Sequence, residues 1–389
     1  HVNLGESNAA LDLFMKMEQE VMPDKVTFLY VLKACSILRA IQSGRTIHNE
    51  IIQCGLEVDS GIGNTIIDMY AKCGSLEEAR CVFEGLPNQD IITWSVMISG
   101  YVQHENFHEA LTCFQLMQTE GLFPDSITFI CILKACGNIG DMKKGKEIHH
   151  SLISRNLLDD DIVLGTALVD MYAKCGMLVK AHQVLEELRV RSVVTWNAII
   201  SRYIEQGQGY GALNCFQQMQ TEGLSPDEVT FSYILKVCGT ISDVDKGKQI
   251  HSKVVISIKD SMEKDLVMIG SALVDMYVKC GLIAIAQKVH SDLRVRNVVT
   301  WSILIAGYVQ QGKGHEALNS YEKMRSEGIL PDAITFTCIL KACGSIGASN
   351  KGKEIHEEVA LKGLLQKDLV LGTALVDMYA KCAMLEKAQ

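Results

Sequence analysis

The chain has 389 residues and 48% of them are hydrophobic, so it can bury a large core and is not intrinsically disordered. Its formal net charge of −9 argues against a protein that holds nucleic acid mainly through phosphates, but it leaves room for a basic stripe on one face. No uncharged apolar run reaches the roughly 18 residues of a membrane span. The 14 cysteines include no Cys-x-x-Cys pair, which makes disulfides improbable and favours a reducing compartment.

The sequence repeats itself over a long period. The string DMYAKCG at Asp68–Gly74 returns at Asp170–Gly176 and, with small changes, at Asp275–Gly281 and Asp377–Ala383. The offsets are 102, 105 and 102 residues. Self-similarity at a fixed period predicts a repeat architecture rather than an ordinary globular fold.

Each long period divides into an ordinary repeat of 35 residues, a long repeat of about 36 and a short repeat of 31. Ten repeats are complete, and partial repeats stand at both ends. The predicted boundaries, in chain order, are partial ordinary 1–24, long 25–59, short 60–90, ordinary 91–125, long 126–161, short 162–192, ordinary 193–227, long 228–266, short 267–297, ordinary 298–332, long 333–368 and partial short 369–389.

Each repeat is predicted to form two antiparallel helices. In the repeat 162–192, the apolar residues Leu168, Met171, Tyr172 and Cys175 are spaced as one face of a first helix. The second helix of the ordinary repeat carries apolar residues about one turn apart: Ala110, Phe114 and Met117, with Ala212, Phe216, Met219 and Ala317, Tyr321, Met324 in the later copies. A lone hairpin cannot bury both faces, so stacking into an all-α, right-handed α-α superhelix is predicted.

The ends of these helices also have sequence signals. Gly121, Gly223 and Gly328 follow the second helix, where a left-handed C-cap favours glycine. A Pro-Asp pair comes three residues later and prevents the helix from continuing. Thr93, Thr195 and Thr300 are predicted to be the N-caps of the first helices.

The motifs and repeat lengths resemble the pentatricopeptide repeat family, in its plant PLS subclass. The motifs are VVTWNAIISRY at Val193–Tyr203, EGLSPD at Glu222–Asp227, GTALVDMYAKCG at Gly165–Gly176 and LKAC at Leu133–Cys136. The ordinary, long and short repeats match the P, L and S repeats of that subclass over essentially the whole chain. A tetratricopeptide array is the nearest alternative, but its 34-residue period and its signature do not fit.

The resemblance implies recognition of single-stranded RNA, one base per repeat. The fifth residue of a repeat and its last residue together reach the Watson–Crick edge of one base. In this sequence these pairs are Asn64 with Asp90, Ser95 with Asp125, Thr166 with Ser192, Asn197 with Asp227, Ser271 with Asn297, and Ser302 with Asp332. All are small polar or acidic residues, as edge hydrogen bonding requires, although the same residue types are also common helix caps.

The resemblance also implies a base preference for each pair. Asn with Asp favours uracil, Ser or Thr with Asp favours guanine, and Ser or Thr with Asn favours adenine. With the RNA 5′ end towards the protein N-terminus, the repeats from Asn64 to Asp332 spell U-G-x-A-U-x-A-G, where x is a long repeat and where Ser192 stands in poorly for Asn in the first A. The long repeats carry Leu29, Ile130, Ser232 and Thr337 at the fifth position. Leucine and isoleucine cannot bond a base, so the long repeats are expected to act mainly as spacers.

Two further residue sets are candidate RNA contacts. The apolar second residues Ile92, Val163, Val194 and Val299 either wedge between bases or pack in the protein. A lysine recurs at the end of the first helix of each short repeat, as Lys72, Lys174, Lys279 and Lys381. These lysines either neutralise phosphates along a groove or are solvated side chains near a helix C-terminus.

No metal, cofactor or catalytic site is predicted. A cysteine precedes a histidine by 13 residues in each long repeat, as in Cys35 with His48, but the other half of a zinc-finger motif is missing. Many PLS proteins end in a cytidine-deaminase-like domain with His-x-Glu and Pro-Cys-x-x-Cys motifs. His48–Glu50 matches the first motif by chance, and the second does not occur here.

The sequence therefore predicts a non-enzymatic array that binds single-stranded RNA in a mitochondrion or chloroplast. It would be the specificity part of an RNA-editing factor whose catalytic domain lies beyond Gln389. Expected partners besides RNA are a deaminase domain or editing cofactor proteins, in cis or in trans, with no membrane. The alternatives are an RNA processing or stability factor without editing, and a solenoid that binds peptides in its groove.

Overall fold

A computed structural model of the chain describes residues 7–17, 23–56, 58–159, 161–257, 263–366 and 368–384. These residues form 22 α-helices and no strand, in strict alternation of first and second helices. The first helices are α2 Lys25–Leu38, α4 Ser60–Lys72, α6 Ile91–Gln103, α8 Ser126–Ile139, α10 Ile162–Lys174, α12 Val193–Glu205, α14 Glu228–Ile241, α16 Glu263–Lys279, α18 Val298–Gln310, α20 Ala333–Ile346 and α22 Leu369–Lys381. The second helices are α1 Ser7–Met17, α3 Ile41–Gln53, α5 Leu76–Gly85, α7 Phe107–Thr119, α9 Met142–Ser154, α11 Leu178–Glu187, α13 Gly209–Thr221, α15 Val244–Ser257, α17 Ile283–Asp292, α19 Gly314–Ser326 and α21 Ser349–Leu361.

The chain divides into two compact bodies, residues 1–199 and 200–389, with the division inside α12. In the N-terminal body the first helices α2, α4, α6, α8 and α10 each pack against the next. In the C-terminal body α14, α16, α18, α20 and α22 do the same. Within each body the second helices pack against neighbouring first helices, as α3 does against α2 and α4 and as α17 does against α16 and α18, so each body has one layer of first helices and one of second helices. Parts of both predicted partial repeats, residues 1–6, 18–22 and 385–389, lie outside the described residues.

The apolar faces predicted from spacing are the core of the stack. Ala110, Phe114 and Met117 of α7 have no exposed surface. Leu168 and Met171 of α10 are fully buried, and Tyr172 is 1% exposed. Burying a large apolar side chain of this kind stabilises the fold by about 1.5–3 kcal/mol. Because each hairpin supplies half of such an interface, the stability of a repeat depends on its neighbours.

Glycines allow the first helices of long and short repeats to approach closely. A Cβ atom on Gly137 of α8 would lie 3.2 Å from the Cα of Met171 in α10, and one on Gly145 of α9 would lie 2.6 Å from the Met171 sulfur. The same contacts recur between Gly239 and Met276 and between Gly344 and Met378. A larger residue at these positions would push neighbouring helices apart.

The helix C-termini are as predicted, but the N-caps are not. Gly121, Gly223 and Gly328 have φ angles of +75°, +80° and +75°, the left-handed conformation expected after a helix. The prediction that Thr93 and Thr300 are N-caps is wrong, because the caps are Asp90 and Asn297, three residues earlier. Thr195 likewise stands three residues after Ser192, inside a helix that begins at Val193. These threonines occupy the first helical turn instead and bond back to the cap.

None of the helices in the described part of the chain combines the length and apolar character needed to cross a bilayer.

Candidate functional site

The last residue of each complete ordinary repeat, and of the short repeats 60–90 and 267–297, caps the first helix of the next repeat. Asp90, Asp125, Asp227 and Asp332 each accept, on Oδ1, the backbone N–H of the threonine three residues later, at 2.8 Å in every case. The hydroxyl of that threonine donates to the same oxygen over 2.6–2.8 Å. Asn297 uses its amide oxygen in the same way, at 2.9 Å from the nitrogen of Thr300. These residues are therefore helix caps, which is the alternative that the sequence left open. Capping uses only one side-chain oxygen of each carboxylate.

The structure brings fifth and last residues together in the ordinary repeats. Ser95 Oγ donates to Asp125 Oδ1 over 3.0 Å and lies 2.5 Å from the hydroxyl of Thr128. The C-terminal body repeats this arrangement: Ser302 Oγ lies 3.4 Å from Asp332 Oδ1 and 2.6 Å from Thr335 Oγ1. Both serines are only 5% exposed. Each serine therefore supports the aspartate, and the half-buried aspartate is the more accessible member of the pair.

Two short repeats also join their predicted pairs. Thr166 Oγ1 lies 2.7 Å from Thr195 Oγ1, which in turn lies 3.0 Å from Ser192 Oγ. Asn64 bonds to the Asp90 carboxylate. The bonds from Thr93 and Asn64 hold the pKa of Asp90 below its ordinary value, although burial acts in the opposite direction. A carboxylate held ionised in this way is a hydrogen-bond acceptor only.

One predicted pair lines a pocket on the first-helix layer of the C-terminal body. Ser271 and Asn297 share this pocket of about 450 Å³ with Val299 and Lys236. The remaining pair is Asn197, which is 8% exposed in the N-terminal body, and Asp227, which caps α14 in the C-terminal body.

The apolar second residues are partly exposed. Ile92, Val163, Val194 and Val299 are between 48% and 64% exposed, at the second position of their helices. Further exposed residues at the second position of a predicted repeat were not predicted from the sequence: Val26, Ile127, Val229, Met268, Ile334 and Val370. The sequence could have identified them, because they occupy the same second position in the long and short repeats. Each of these side chains therefore presents apolar surface to solvent while the rest of it stays covered by the protein.

The short-repeat lysines are all ion-paired. Lys72, Lys279 and Lys381 lie 2.7–2.8 Å from Asp68, Asp275 and Asp377, one turn earlier in the same helix, and Lys174 pairs with Asp170 at 2.8 Å. Each predicted phosphate contact therefore has a carboxylate beside it. The sequence reasoning did not single out the lysine of the LKAC motif, although it recurs at a fixed phase as Lys33, Lys134, Lys236 and Lys341.

The fifth residues of the long repeats include one side chain, that of Thr337, whose hydroxyl already donates a hydrogen bond within its own helix. Thr337 is 9% exposed and donates to the Ala333 carbonyl of its own helix. Leu29 and Ile130 are half-buried and apolar.

The recurring histidines of the long repeats pair with tyrosines. His48 Nδ1 lies 3.0 Å from the Tyr70 hydroxyl, and the same contact recurs at 2.9 Å between His149 and Tyr172. Burial lowers the pKa of His48 and raises the pKa of Cys35 to about 11, so both groups stay neutral near pH 7. Within the described residues no group of three or more histidine, cysteine or acidic side chains is placed to hold a metal ion.

Family models match the chain in five places. The model described as "PPR repeat family" matches residues 89–138, 191–240 and 296–345, and the model described as "PPR repeat" matches residues 64–91 and 166–193. The chain belongs to the PPR repeat family. This confirms the family suggested by the motifs, at the level of the repeat.

Several PPR proteins of Arabidopsis thaliana are similar over the whole chain. Pentatricopeptide repeat-containing protein At4g39530 is 35% identical over 100% of this chain and 46% of its own length. The chloroplastic protein At1g11290 is 33% identical over 97% of this chain and 46% of its own length. The mitochondrial protein At3g09040 is 35% identical over 97% of this chain and 36% of its own length. The chain thus spans about half the length, or less, of these relatives, and their names support the expected organellar localisation.

A solved structure shares the fold. The pentatricopeptide repeat protein PPR10, in a crystal structure with an 18-nt psaJ RNA element, superposes with a TM-score of 0.76 at 20% identity. The match covers 100% of this chain and 60% of that one. The all-α superhelical PPR fold predicted from the sequence is confirmed.

Proposed function

We propose that this PPR chain binds single-stranded RNA in a sequence-specific way, with one base read by each ordinary or short repeat. The observation that carries the proposal is the joining of the fifth and last residues, at Ser95 with Asp125 and at Ser302 with Asp332. Residues 30 positions apart converge on one point of the first-helix layer, beside an exposed apolar side chain. Such a point offers a polar group for a base edge and an apolar surface for its face.

The chemistry of the caps suits base reading. The helix cap uses Oδ1 of each aspartate, and Oδ2 takes no part in the capping bonds. A carboxylate oxygen accepts N–H donors from a base edge, whereas an amide both donates and accepts. Replacing aspartate by asparagine therefore changes the recognised base while keeping a good cap. Asn297 already caps α18 in this chain.

The likeness to PPR10 adds support. That protein was crystallised with an 18-nt psaJ RNA element, and it has the same fold over the whole of this chain. Under the proposed register, with repeat boundaries as predicted from the sequence, the repeats from Asn64 to Asp332 spell U-G-x-A-U-x-A-G. The exposed second residues would stack on bases, and the short-repeat lysines would face phosphates.

The test is a reciprocal exchange in two neighbouring reading repeats. Ser271 with Asn297 is assigned to adenine and Ser302 with Asp332 to guanine, so the two pairs differ only in their last residue. Asn297→Asp should change the preferred base at that position from A to G, and Asp332→Asn should change G to A at the other. Each swap should shift relative binding by about 1–3 kcal/mol, the scale of base-edge contacts. Competition binding with RNAs that differ at one letter measures this. Unchanged preferences in folded variants would refute base reading by these repeats.

We further propose that the array supplies the specificity of an organellar RNA-editing factor, with a deaminase domain or editing cofactor acting in cis or in trans. Since the chain spans only about half of its relatives, the catalytic part would belong to the remainder of the protein or to a partner. Sequencing organellar transcripts from plants that lack the protein tests this. Loss of a C-to-U change near the spelled sequence supports editing. Altered transcript ends or abundance without such a change would instead support a processing or stability factor. A purified protein that binds peptides but no RNA would support the protein-interaction alternative.

A further inference from the structure

The long repeats carry a lysine at the ninth position of the first helix. The four are Lys33 and Lys134 in the N-terminal body and Lys236 and Lys341 in the C-terminal body. All four are exposed, and none of them forms an ion pair within the described part of the chain. No direct ion pair therefore neutralises their charges within the described residues.

The short-repeat lysines differ in this respect. Lys279 lies 2.7 Å from Asp275, and a phosphate would have to displace or tolerate that carboxylate. The Lys279 stem also rests on the preceding long repeat: a Cβ atom on Gly239 would lie 3.3 Å from its Cδ atom. Gly239 is one turn beyond Lys236 in α14. Each long repeat and the short repeat that follows it thus present two lysines and one aspartate, which together carry one net positive charge.

The position of Lys236 links this charge to the proposed reading site. Lys236 lines the same pocket as Ser271 and Asn297, the reading pair of the next repeat, as the exposed Val299, and as Asp275, whose carboxylate is paired with Lys279. A nucleotide in that pocket would have its base near Ser271 and Asn297 and a cation within reach of its backbone.

Two other long repeats place the lysine near a reading aspartate. Burial raises the pKa of the Cys131 thiol, Lys134 lowers it and Asp125 raises it, so both charges lie within electrostatic range of that cysteine. Cys338 responds in the same way to Lys341 and Asp332. The lysine and the last residue of the preceding ordinary repeat therefore act on the same cysteine of α8 and of α20.

We propose that each of these four long-repeat lysines binds a backbone phosphate of the RNA strand, so that a long repeat holds the strand where it does not read a base. This inference rests on the proposed RNA binding and deepens it. The apolar fifth residues Leu29 and Ile130 cannot bond a base edge, and the lysine gives these repeats a contact of a different kind. A few cations without a direct ion pair beside the reading site also reconcile phosphate binding with a chain charge of −9.

The test compares two quadruple variants with equal changes in net charge. In the first, Lys33, Lys134, Lys236 and Lys341 are replaced by Ala. In the control, the exposed second-helix lysines Lys146, Lys248, Lys288 and Lys323 are replaced by Ala. Binding of RNA that carries the spelled sequence, and of a scrambled RNA, is measured over a range of salt concentrations. The slope of log affinity against log salt should fall by about 0.7 for each phosphate that is no longer neutralised, or roughly 3 for the first variant, and stay unchanged in the control.

The outcomes separate this inference from the proposed function. Equal weakening of both RNAs in the first variant, restored by Lys→Arg at the same positions, supports the phosphate contacts. A salt slope equal to that of the control overturns them while RNA binding itself stands. Failure of the unaltered chain to bind either RNA at low salt would refute the proposed function instead. As a second measure, Asp275→Asn should release Lys279 and tighten RNA binding. If Asp275→Asn does not tighten RNA binding, that result would contradict the idea that a net positive charge at this pocket acts on phosphate.

Discussion

Ser95 donates a hydrogen bond from its Oγ to Asp125 Oδ1 over 3.0 Å, although 30 residues separate the two in sequence. The aspartate is at the same time the N-cap of α8. The contact therefore ties the first turn of one repeat to the start of the next, and it sets the orientation of the carboxylate proposed to read a base. Local capping and base recognition use the same side chain at this point.

The first prediction concerns the threonine that supports this contact. Thr128 is fully buried, and its hydroxyl donates to Asp125 Oδ1 over 2.6 Å. Thr128→Val keeps the shape but removes the hydroxyl, so we expect a loss of about 1 kcal/mol in the free energy of unfolding. The preference for G over A at this repeat should also weaken, because the carboxylate is no longer held by the hydroxyl. Thr112→Val, which removes an exposed hydroxyl bonded to its own helix, is the control for both readouts. Full base discrimination in Thr128→Val would contradict this role.

The second prediction tests the uracil assigned to Asn197 with Asp227. Asp227→Asn should change the preference at that position from uracil to cytosine, because the amide can donate to the cytosine ring nitrogen where the carboxylate only accepts. The cap of α14 should persist, since asparagine and aspartate are similar N-caps. Competition binding with RNAs that differ only at that letter is the measurement. Asp245→Asn, an equal charge change at an exposed site on α15, should leave the ratio as it was. A U-to-C ratio identical to that of the parent would show that this repeat does not read a base.

The third prediction concerns the exposed second residues. Val163 is 63% exposed on the first helix of a short repeat, and Val179 is 73% exposed on its second helix. Val163→Ala should change the free energy of unfolding by less than about 0.5 kcal/mol, as for most surface substitutions. It should weaken all RNAs by a similar factor, because stacking on a base face is sequence-tolerant and worth about 1–3 kcal/mol per base when an aromatic is involved and less for a valine. Val179→Ala should alter neither quantity. Equal RNA affinities for the two variants would assign Val163 to solvent.

The fourth prediction uses a buried histidine. The His290 ring lies 4.3 Å from that of Trp301, and its Nε2 has no hydrogen-bond partner in the described part of the chain. Burial and, to a smaller extent, Arg296 lower the pKa of His290 to about 4, although Glu327 acts in the opposite direction. Since the unfolded pKa is about 6.5, the neutral histidine contributes stability fully above that pH, and this contribution is lost as the pH falls towards 4.

His290→Phe should remove the loss of stability that the protonation of His290 causes at low pH. Phe83 already occupies the matching place against Trp94, with rings 4.7 Å apart, so the substitution should be tolerated. Between pH 7 and 5 the variant should lose about 2 kcal/mol less of its free energy of unfolding than the parent. Urea unfolding at the two pH values measures this, with His315→Phe, at an exposed site on α19, as the control. Parallel losses in parent and variant would show that His290 is protonated in the folded state as easily as in the unfolded one.

The repeat and its helices could be read from the sequence because they depend on local and periodic signals. Apolar spacing predicted the buried faces of α7 and α10, and glycine after the second helix of each ordinary repeat predicted the left-handed C-cap. The N-caps were misassigned to threonine, since threonine and aspartate are both good caps and only the backbone geometry distinguishes position N3 from the cap.

Only the tertiary structure decided which residues of neighbouring repeats lie close to one another. The sequence contains Ser95, Asp125 and Thr128, but their convergence depends on how α6 packs against α8. It also contains Lys236 and Lys279 in equally regular positions. Only the folded chain shows that the first lines the pocket without a direct ion pair while the second is paired with Asp275, because ion pairing depends on distances of a few ångströms that spacing along a chain does not specify.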